Sequence, residues 1–259
     1  MARRKLTGLH ILLTGASSGI GRELAIQLIE QGADIIAVAR RADRLQQLAD
    51  TIQRPEQFTY LVADVTNPAD RQRAIAECQQ RWGGLDVLIN NAGSGAIGPF
   101  STADEARLRR VMEVNFFAPV ELTRLALPLL RRGTQPIIVN VSSVLAHRGV
   151  PQKTEYCASK FALHGFSDAL RAELAKDKID VLLVSPSTTA TEFFDKVEGD
   201  LQKPHGRFGA RSAAYVASAA IRALRAGRHE VILSTGGRLL VWLDRLCPPL
   251  ADRLVAWWG

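Results

Sequence analysis

Tyr156 and Lys160 stand four residues apart in the stretch Tyr156-Cys157-Ala158-Ser159-Lys160. On an α-helix, side chains at i and i+4 lie one above the other. A lysine ammonium held beside a phenol favours the phenolate, because an opposite charge within a few ångströms stabilises the ionised form. A free tyrosine has a pKa of about 10, too high for efficient proton exchange near neutrality. The pair is therefore a candidate acid/base device, with Lys160 expected to pull the Tyr156 pKa down. The same spacing recurs on solvated helix faces, so its meaning depends on what positions it. From Tyr156 to Lys176, Phe161, Leu163, Phe166, Leu170 and Leu174 recur at helical spacing, which predicts one long helix.

A second stretch with chemistry in it lies near the start. Leu9 to Leu13 is a short apolar run, followed at once by Thr14-Gly15-Ala16-Ser17-Ser18-Gly19-Ile20-Gly21. A helical pattern through Leu24, Leu28 and Ile29 stops near Gly32, and Ile35 to Ala39 reads as a second buried strand. Strand, glycine-rich turn, helix and strand form the context in which such a loop binds a dinucleotide. Glycines permit a tight turn and close backbone approach, and the helix N-terminus offers unpaired N–H groups to a pyrophosphate. The spacing is Gly-x-x-x-Gly-x-Gly, which departs from the common Gly-x-Gly-x-x-Gly fingerprint.

The elements that must hold these stretches repeat the alternation. Strands are predicted at Thr59 to Ala63, Asp86 to Asn90, Pro136 to Val141, Ile179 to Val184 and Val231 to Leu233. Helices are predicted from Pro68 to about Trp82, from Asp104 to Arg131 and from Ser212 to Ala226. Seven strands alternating with helices imply an α/β fold: a Rossmann-like, doubly wound, seven-stranded parallel sheet with its ligand at the carboxyl ends of the strands. No internal repeat or linker is visible, so residues 1–259 read as one dinucleotide-binding domain.

The Thr14 to Gly21 loop resembles the cofactor loop of the short-chain dehydrogenase/reductase family, and four further motifs follow in that family's order. The resemblance covers about Leu6 to Leu233. It implies hydride transfer between a nicotinamide cofactor and a carbonyl or secondary alcohol. By that resemblance Gly15, Ser17, Ser18, Gly19, Ile20 and Gly21 hold the cofactor phosphates. Asp64, with Val65 beside it, takes the adenine amino group. Asn90-Asn91-Ala92-Gly93 matches the motif that lines the adenine–ribose side. Asn115 is similar to the family's asparagine that holds a proton-relay water; read from the sequence alone it is equally a satisfied core amide. Ser143 lies thirteen positions before Tyr156, the family's serine spacing, which disfavours Ser142. Pro186 and Thr191 match Pro-Gly-x-x-x-Thr, whose backbone, with Thr189 here, holds the nicotinamide carboxamide. Ser187 stands where glycine is usual, which predicts a conformational cost of about 1 kcal/mol. The implied catalytic set is Asn115, Ser143, Tyr156 and Lys160. Cys157 is read as a filler.

An enzyme of NAD usually carries an acid after the second strand for the ribose hydroxyls. Here Arg40, Arg41 and Arg44 follow instead, with no acid in sequence to repel a 2′-phosphate. NADP(H) is therefore favoured over NAD(H), with Arg40 as the leading residue.

Composition narrows the remaining classes. Hydrophobic residues make up 47% and charged residues 23%, as in ordinary globular proteins. The net charge of +7 comes from scattered arginines, not from one basic helix, so nucleic acid is not a predicted partner. Three separated cysteines suggest reduced thiols in a cytoplasm-like compartment. No signal peptide and no spanning helix are predicted. Residues 193–210, polar and carrying Gly199 and Gly206, read as a substrate lid. The segment 236–259 reads as a C-terminal amphipathic helical appendage, broken at Pro248-Pro249. It fits packing on the domain, contact in a homodimer or homotetramer, or peripheral membrane contact. The small-molecule substrate has no code in the sequence.

Overall fold

The computed structural model describes residues 4–193, 197 and 210–258. Six strands are laid down first: β1 (His10–Thr14), β2 (Asp34–Ala39), β3 (Phe58–Val62), β4 (Val87–Asn90), β5 (Ile137–Val141) and β6 (Asp180–Ser185). Two-residue strands β7 (Thr189–Ala190) and β8 (Arg211–Ser212) pair with each other, and β9 (Glu230–Ile232) completes the main sheet. That sheet is parallel throughout, in the order β3-β2-β1-β4-β5-β6-β9. Strand order reverses between β1 and β4, which opens a crevice at their carboxyl ends.

Both faces of the sheet are covered, so its central strands are apolar without alternation. Ile11, Leu13, Ile35 and Ala37 pack on one side with α1 (Gly19–Glu30), α2 (Ala42–Ile52) and α7 (Ala213–Arg225). Leu12, Ile36, Leu88 and Ile138 pack on the other with α3 (Pro68–Trp82), α5 (Ala118–Leu130) and α6 (Thr154–Glu173). The single helix expected over Asp104 to Arg131 is instead three pieces: α4 (Glu105–Met112), a π-helical segment Glu113–Phe117, and α5. The N–H of Ala118 bonds to the carbonyl of Glu113, five residues back. Pro119 supplies a cause, since it lacks the N–H that an α-helix would direct at the Asn115 carbonyl. Helix α6, which carries Tyr156 and Lys160, starts at Thr154 and closes in a 3₁₀ turn, Leu174–Asp177. Strands β3 and β9 each sit one residue earlier than the apolar runs predicted. The β7–β8 pair, two residues a side, is too short to leave a periodic signal.

After β9 the chain forms α8 (Thr235–Leu246) and α9 (Pro248–Trp258), which pack on each other. The first turn of α8 lies against Val144: a Cβ on Gly237 would stand 2.8 Å from its Cγ2. Arg148 holds both helices, donating to Asp244 Oδ1 at 2.8 Å and to Asp252. Apart from Phe193, Val197 and Ala210, the expected lid at 193–210 lies outside the described residues.

Candidate active site

The crevice is built on the ends of β1 and β4. Thr14 Oγ1 donates to the Ile89 carbonyl at 3.2 Å and accepts from the N–H groups of Asn91 and Ala92 at 3.0 and 3.1 Å. The Asn91 amide returns two bonds, to the carbonyls of Thr14 (3.0 Å) and Gly15 (3.2 Å). These contacts leave no room for a side chain. A Cβ on Gly21 would lie 2.3 Å from the Gly15 carbonyl oxygen, and one on Gly15, at φ +70°, 2.8 Å from Ala92 Cα. Asn91 and Gly21 thus act behind the loop, fixing its shape.

Ser18 is the N-cap of α1 but caps nothing with its side chain, and the first turn carries no acid. The hydroxyls of Ser17 and Ser18 face Arg41 instead. Arg41 donates to Ser17 Oγ at 3.2 and 2.9 Å, to Ser18 Oγ at 2.7 Å and to Glu192 at 3.1 Å. Arg44 lies 3.6 Å from the same carboxylate. Arg40, singled out from the sequence, is 3.7 Å from Asp64 with its side chain 72% exposed. Consecutive residues at a strand end point in different directions, which is why Arg41 and not Arg40 lies on the glycine loop. An acid does face these arginines, Glu192, supplied from far along the chain. Burial alone would raise the Asp64 carboxyl. The N–H and hydroxyl of Thr66, with the Arg40 charge, outweigh it and hold that carboxyl below its ordinary value.

The other end of the crevice holds the acid/base pair. Ser143 caps the 3₁₀ turn after β5, accepting from the Leu145 N–H at 3.1 Å, and its hydroxyl favours the ionised form of the Tyr156 phenol. Burial pushes the Tyr156 phenol up to about 12 against the lowering effect of Ser143. This is opposite to the direction expected from the Tyr-Lys spacing. Lys160 is 4% exposed, and its Nζ lies 5.8 Å from the Tyr156 ring centre and donates to the Val141 carbonyl at 3.1 Å. Burial lowers its ammonium to about 8. Desolvation acts on both members, up for the phenol and down for the ammonium. Burial thus favours the neutral phenol at Tyr156.

Asn115 is 1% exposed and lies in the π-helical segment. Its Oδ1 accepts from Ser94 N, and its Nδ2 donates to the Ser94 carbonyl and to Ser159 Oγ, all at 2.9 Å. Ser159 Oγ donates to the Tyr156 carbonyl at 2.7 Å. The amide clamps the loop after β4 to the N-terminal part of α6.

All the predicted site residues except Gly21 and Asn115 line one crevice of about 560 Å³. Ser187 is among them and is not at positive φ, so the strain expected from replacing glycine is absent there. Arg41, named from the sequence behind Arg40, and Ser142, disfavoured there by spacing, line the same space, as do Glu192, Lys153 and Phe193, which sequence reasoning passed over. Lys153, one helical turn before Tyr156, had a readable signal in its spacing. Its ammonium is lowered by burial. Phe193 meets the Tyr156 ring edge-on at 5.9 Å, a contact between distant segments with no sequence signature. Cys157 is buried, and burial raises its thiol, as a filler requires.

The short chain dehydrogenase family model matches residues 9–202. The chain belongs to that family. A 3-ketodihydrosphingosine reductase from Bacteroides thetaiotaomicron is 37% identical over 185 residues, 71% of this chain and 65% of its own. Thus this short-chain dehydrogenase spans just under two thirds of that relative. A short-chain dehydrogenase from Burkholderia cenocepacia in complex with NADP superposes with TM-score 0.83 at 27% identity, over 97% of this chain and 99% of its own. One from Burkholderia phymatum in complex with NAD gives 0.87 at 22% identity, over 95% and 96%, a likeness of fold.

Proposed function

We propose that this short-chain dehydrogenase interconverts a carbonyl and a secondary alcohol with NADP(H), using Tyr156 as the acid and base. The observation that carries the proposal is the meeting of Ser143, Tyr156 and Lys160 with the glycine loop in one crevice. The crevice suits a dinucleotide: Gly15 and Gly21 let the loop fold tightly against Asn91 and Ala92, and Arg41 with two serine hydroxyls makes an anion site at the N-terminus of α1. When bound, the nicotinamide supplies or accepts the hydride.

In the reducing direction, the Tyr156 hydroxyl donates its proton to the substrate oxygen as the carbonyl carbon gains hydride. The Ser143 hydroxyl donates a hydrogen bond to that oxygen and steadies the charge developing on it. Lys160 would hold the nicotinamide ribose of a bound cofactor and, with an ammonium lowered to about 8, returns a proton to Tyr156. The Asn115 carbonyl holds the water through which that proton comes from solvent. Asp64, Val65, Ala92 and Gly93 line the adenine–ribose side, and Pro186, Ser187, Thr189 and Thr191 the nicotinamide side.

Arg41 is the residue for the 2′-phosphate, with Arg40 and Arg44 beside it. Glu192 is the internal anion that now holds Arg41 and would compete with such a phosphate for it. A panel of aldehydes, ketones, sugars and sterols, run with NADPH and then NADH, tests the reading. Turnover with NADPH well above NADH is expected; preference for NADH would overturn the cofactor assignment, and no turnover of any carbonyl the reaction. A second reading, a membrane-associated lipid or steroid reductase of the same chemistry, is favoured by the exposed apolar side chains of α8 and α9. We read the protein as a cytoplasmic homodimer or homotetramer; light scattering tests the assembly.

A further inference from the structure

The outer faces of α8 and α9 leave large apolar side chains in solvent. On α8, Leu239, Trp242 and Leu246 are 65%, 60% and 77% exposed and share one helix face at i, i+3 and i+7. On α9, Leu250, Leu254 and Trp257 are 46%, 43% and 81% exposed, at i, i+4 and i+7. The inner faces are spent on the fold, with Val241 and Ala251 buried. Charge is sorted as well. Arg238, Arg245 and Arg253 are exposed, and among the described residues no carboxylate lies in ion-pair range of Arg245 or Arg253. The two acids of the pair, Asp244 and Asp252, are both held by Arg148.

We propose that this face docks on an anionic phospholipid surface. Leucine and tryptophan on one side of a short helix, with arginines along it, suit a helix lying at the headgroup boundary. Tryptophan seats its amphipathic ring there, and arginine covers apolar surface with its stem while its head meets phosphate. The helices, 12 and 11 residues long, lie on the bilayer and do not span it. Charge argues against a second copy as the occupant. A two-fold contact sets the same face against itself, so the three arginines would meet their own kind. The docked helix touches Val144, the residue after Ser143, so the membrane face and the substrate end of the crevice share a turn. The proposal stands independently of the reaction assigned above.

The test uses the full chain with vesicles of phosphatidylcholine alone or mixed with phosphatidylglycerol. Sedimentation with the anionic vesicles, weakened by salt, is expected, and little with phosphatidylcholine. Trp242→Ser/Trp257→Ser and Arg245→Glu/Arg253→Glu, all at exposed positions, should each weaken it by about tenfold or more while the melting temperature holds. Sedimentation unchanged in both variants, or absent in the wild type, would overturn the proposal. So would a dimer by light scattering that the tryptophan variant dissolves, since a second copy would then occupy the face.

Discussion

Lining the crevice, Ser143 and Lys160, and behind it Asn115 and Ser159, are polar and at most 8% exposed; on the C-terminal helices Leu246 and Trp257 are apolar and 77% and 81% exposed. Each region departs from the ordinary sorting of residues, in opposite directions. The crevice tolerates its polar groups because they bond to one another, Asn115 to Ser94 and Ser159, Lys160 to Val141. The helix pair has no internal compensation for its exposed rings; what it compensates is charge, through Arg148. In the function proposed above, these buried polar groups mark where the fold does chemistry. On the docking proposal, exposed apolar groups beside arginines with no carboxylate in range among the described residues mark where it meets a membrane surface.

The sharpest way to break this contrast is Tyr156→Phe, which removes one oxygen and keeps the packing. Turnover should fall by about a thousandfold with cofactor binding intact, read by steady-state kinetics and NADPH fluorescence. Full activity would leave the crevice without its acid.

Next is Lys160→Met. Below pH 8 the ammonium is charged in both the folded and unfolded states, and its burial counts in full against the wild type. As pH rises from about 8 towards the unfolded value of 10.5, the folded state sheds its proton first and that cost is relieved. The advantage of the variant in urea denaturation should therefore shrink by roughly 3 kcal/mol across that window. Tyr156, raised to about 12, acts oppositely above pH 10, where the unfolded chain ionises first and stability falls.

Arg41→Ala should weaken NADPH binding by about 10- to 100-fold and leave NADH nearly unchanged, by titration calorimetry. Arg148→Ala frees Asp244 and Asp252. A loss of about 1 kcal/mol, confined to α8 and α9, should appear as faster amide exchange there and not in the sheet. The smallest effect belongs to Glu192→Gln, which should tighten NADPH a few-fold by removing the competing carboxylate.

The sheet and the glycine loop were legible because their causes are local. Apolar runs such as Ile35 to Ala39 and the spacing of Gly15, Gly19 and Gly21 each record a requirement met within one stretch. The pairing of Arg41 with Glu192 was not legible, since the two meet only after residues 151 positions apart come together. The direction of the Tyr156 shift was missed for a related reason. Spacing reveals that a lysine is near, but desolvation is a property of everything packed around it. The small role of backbone strain at Ser187 was likewise a matter of φ, which residue type alone does not give.

The π-helical segment has a consequence for length. In an α-helix each residue turns the chain by about 100°, so a deletion re-aims everything beyond it. Glu113–Phe117 holds its extra residue between two commitments. Arg107 on α4 donates to the buried Glu155 at 2.9 and 2.7 Å, and Asn115 reaches Ser94 and Ser159. A chain one residue shorter here could keep the first alignment or the second, but not both. The count of residues between Arg107 and Pro119 is thus as much a specification of the active site as any side chain in it.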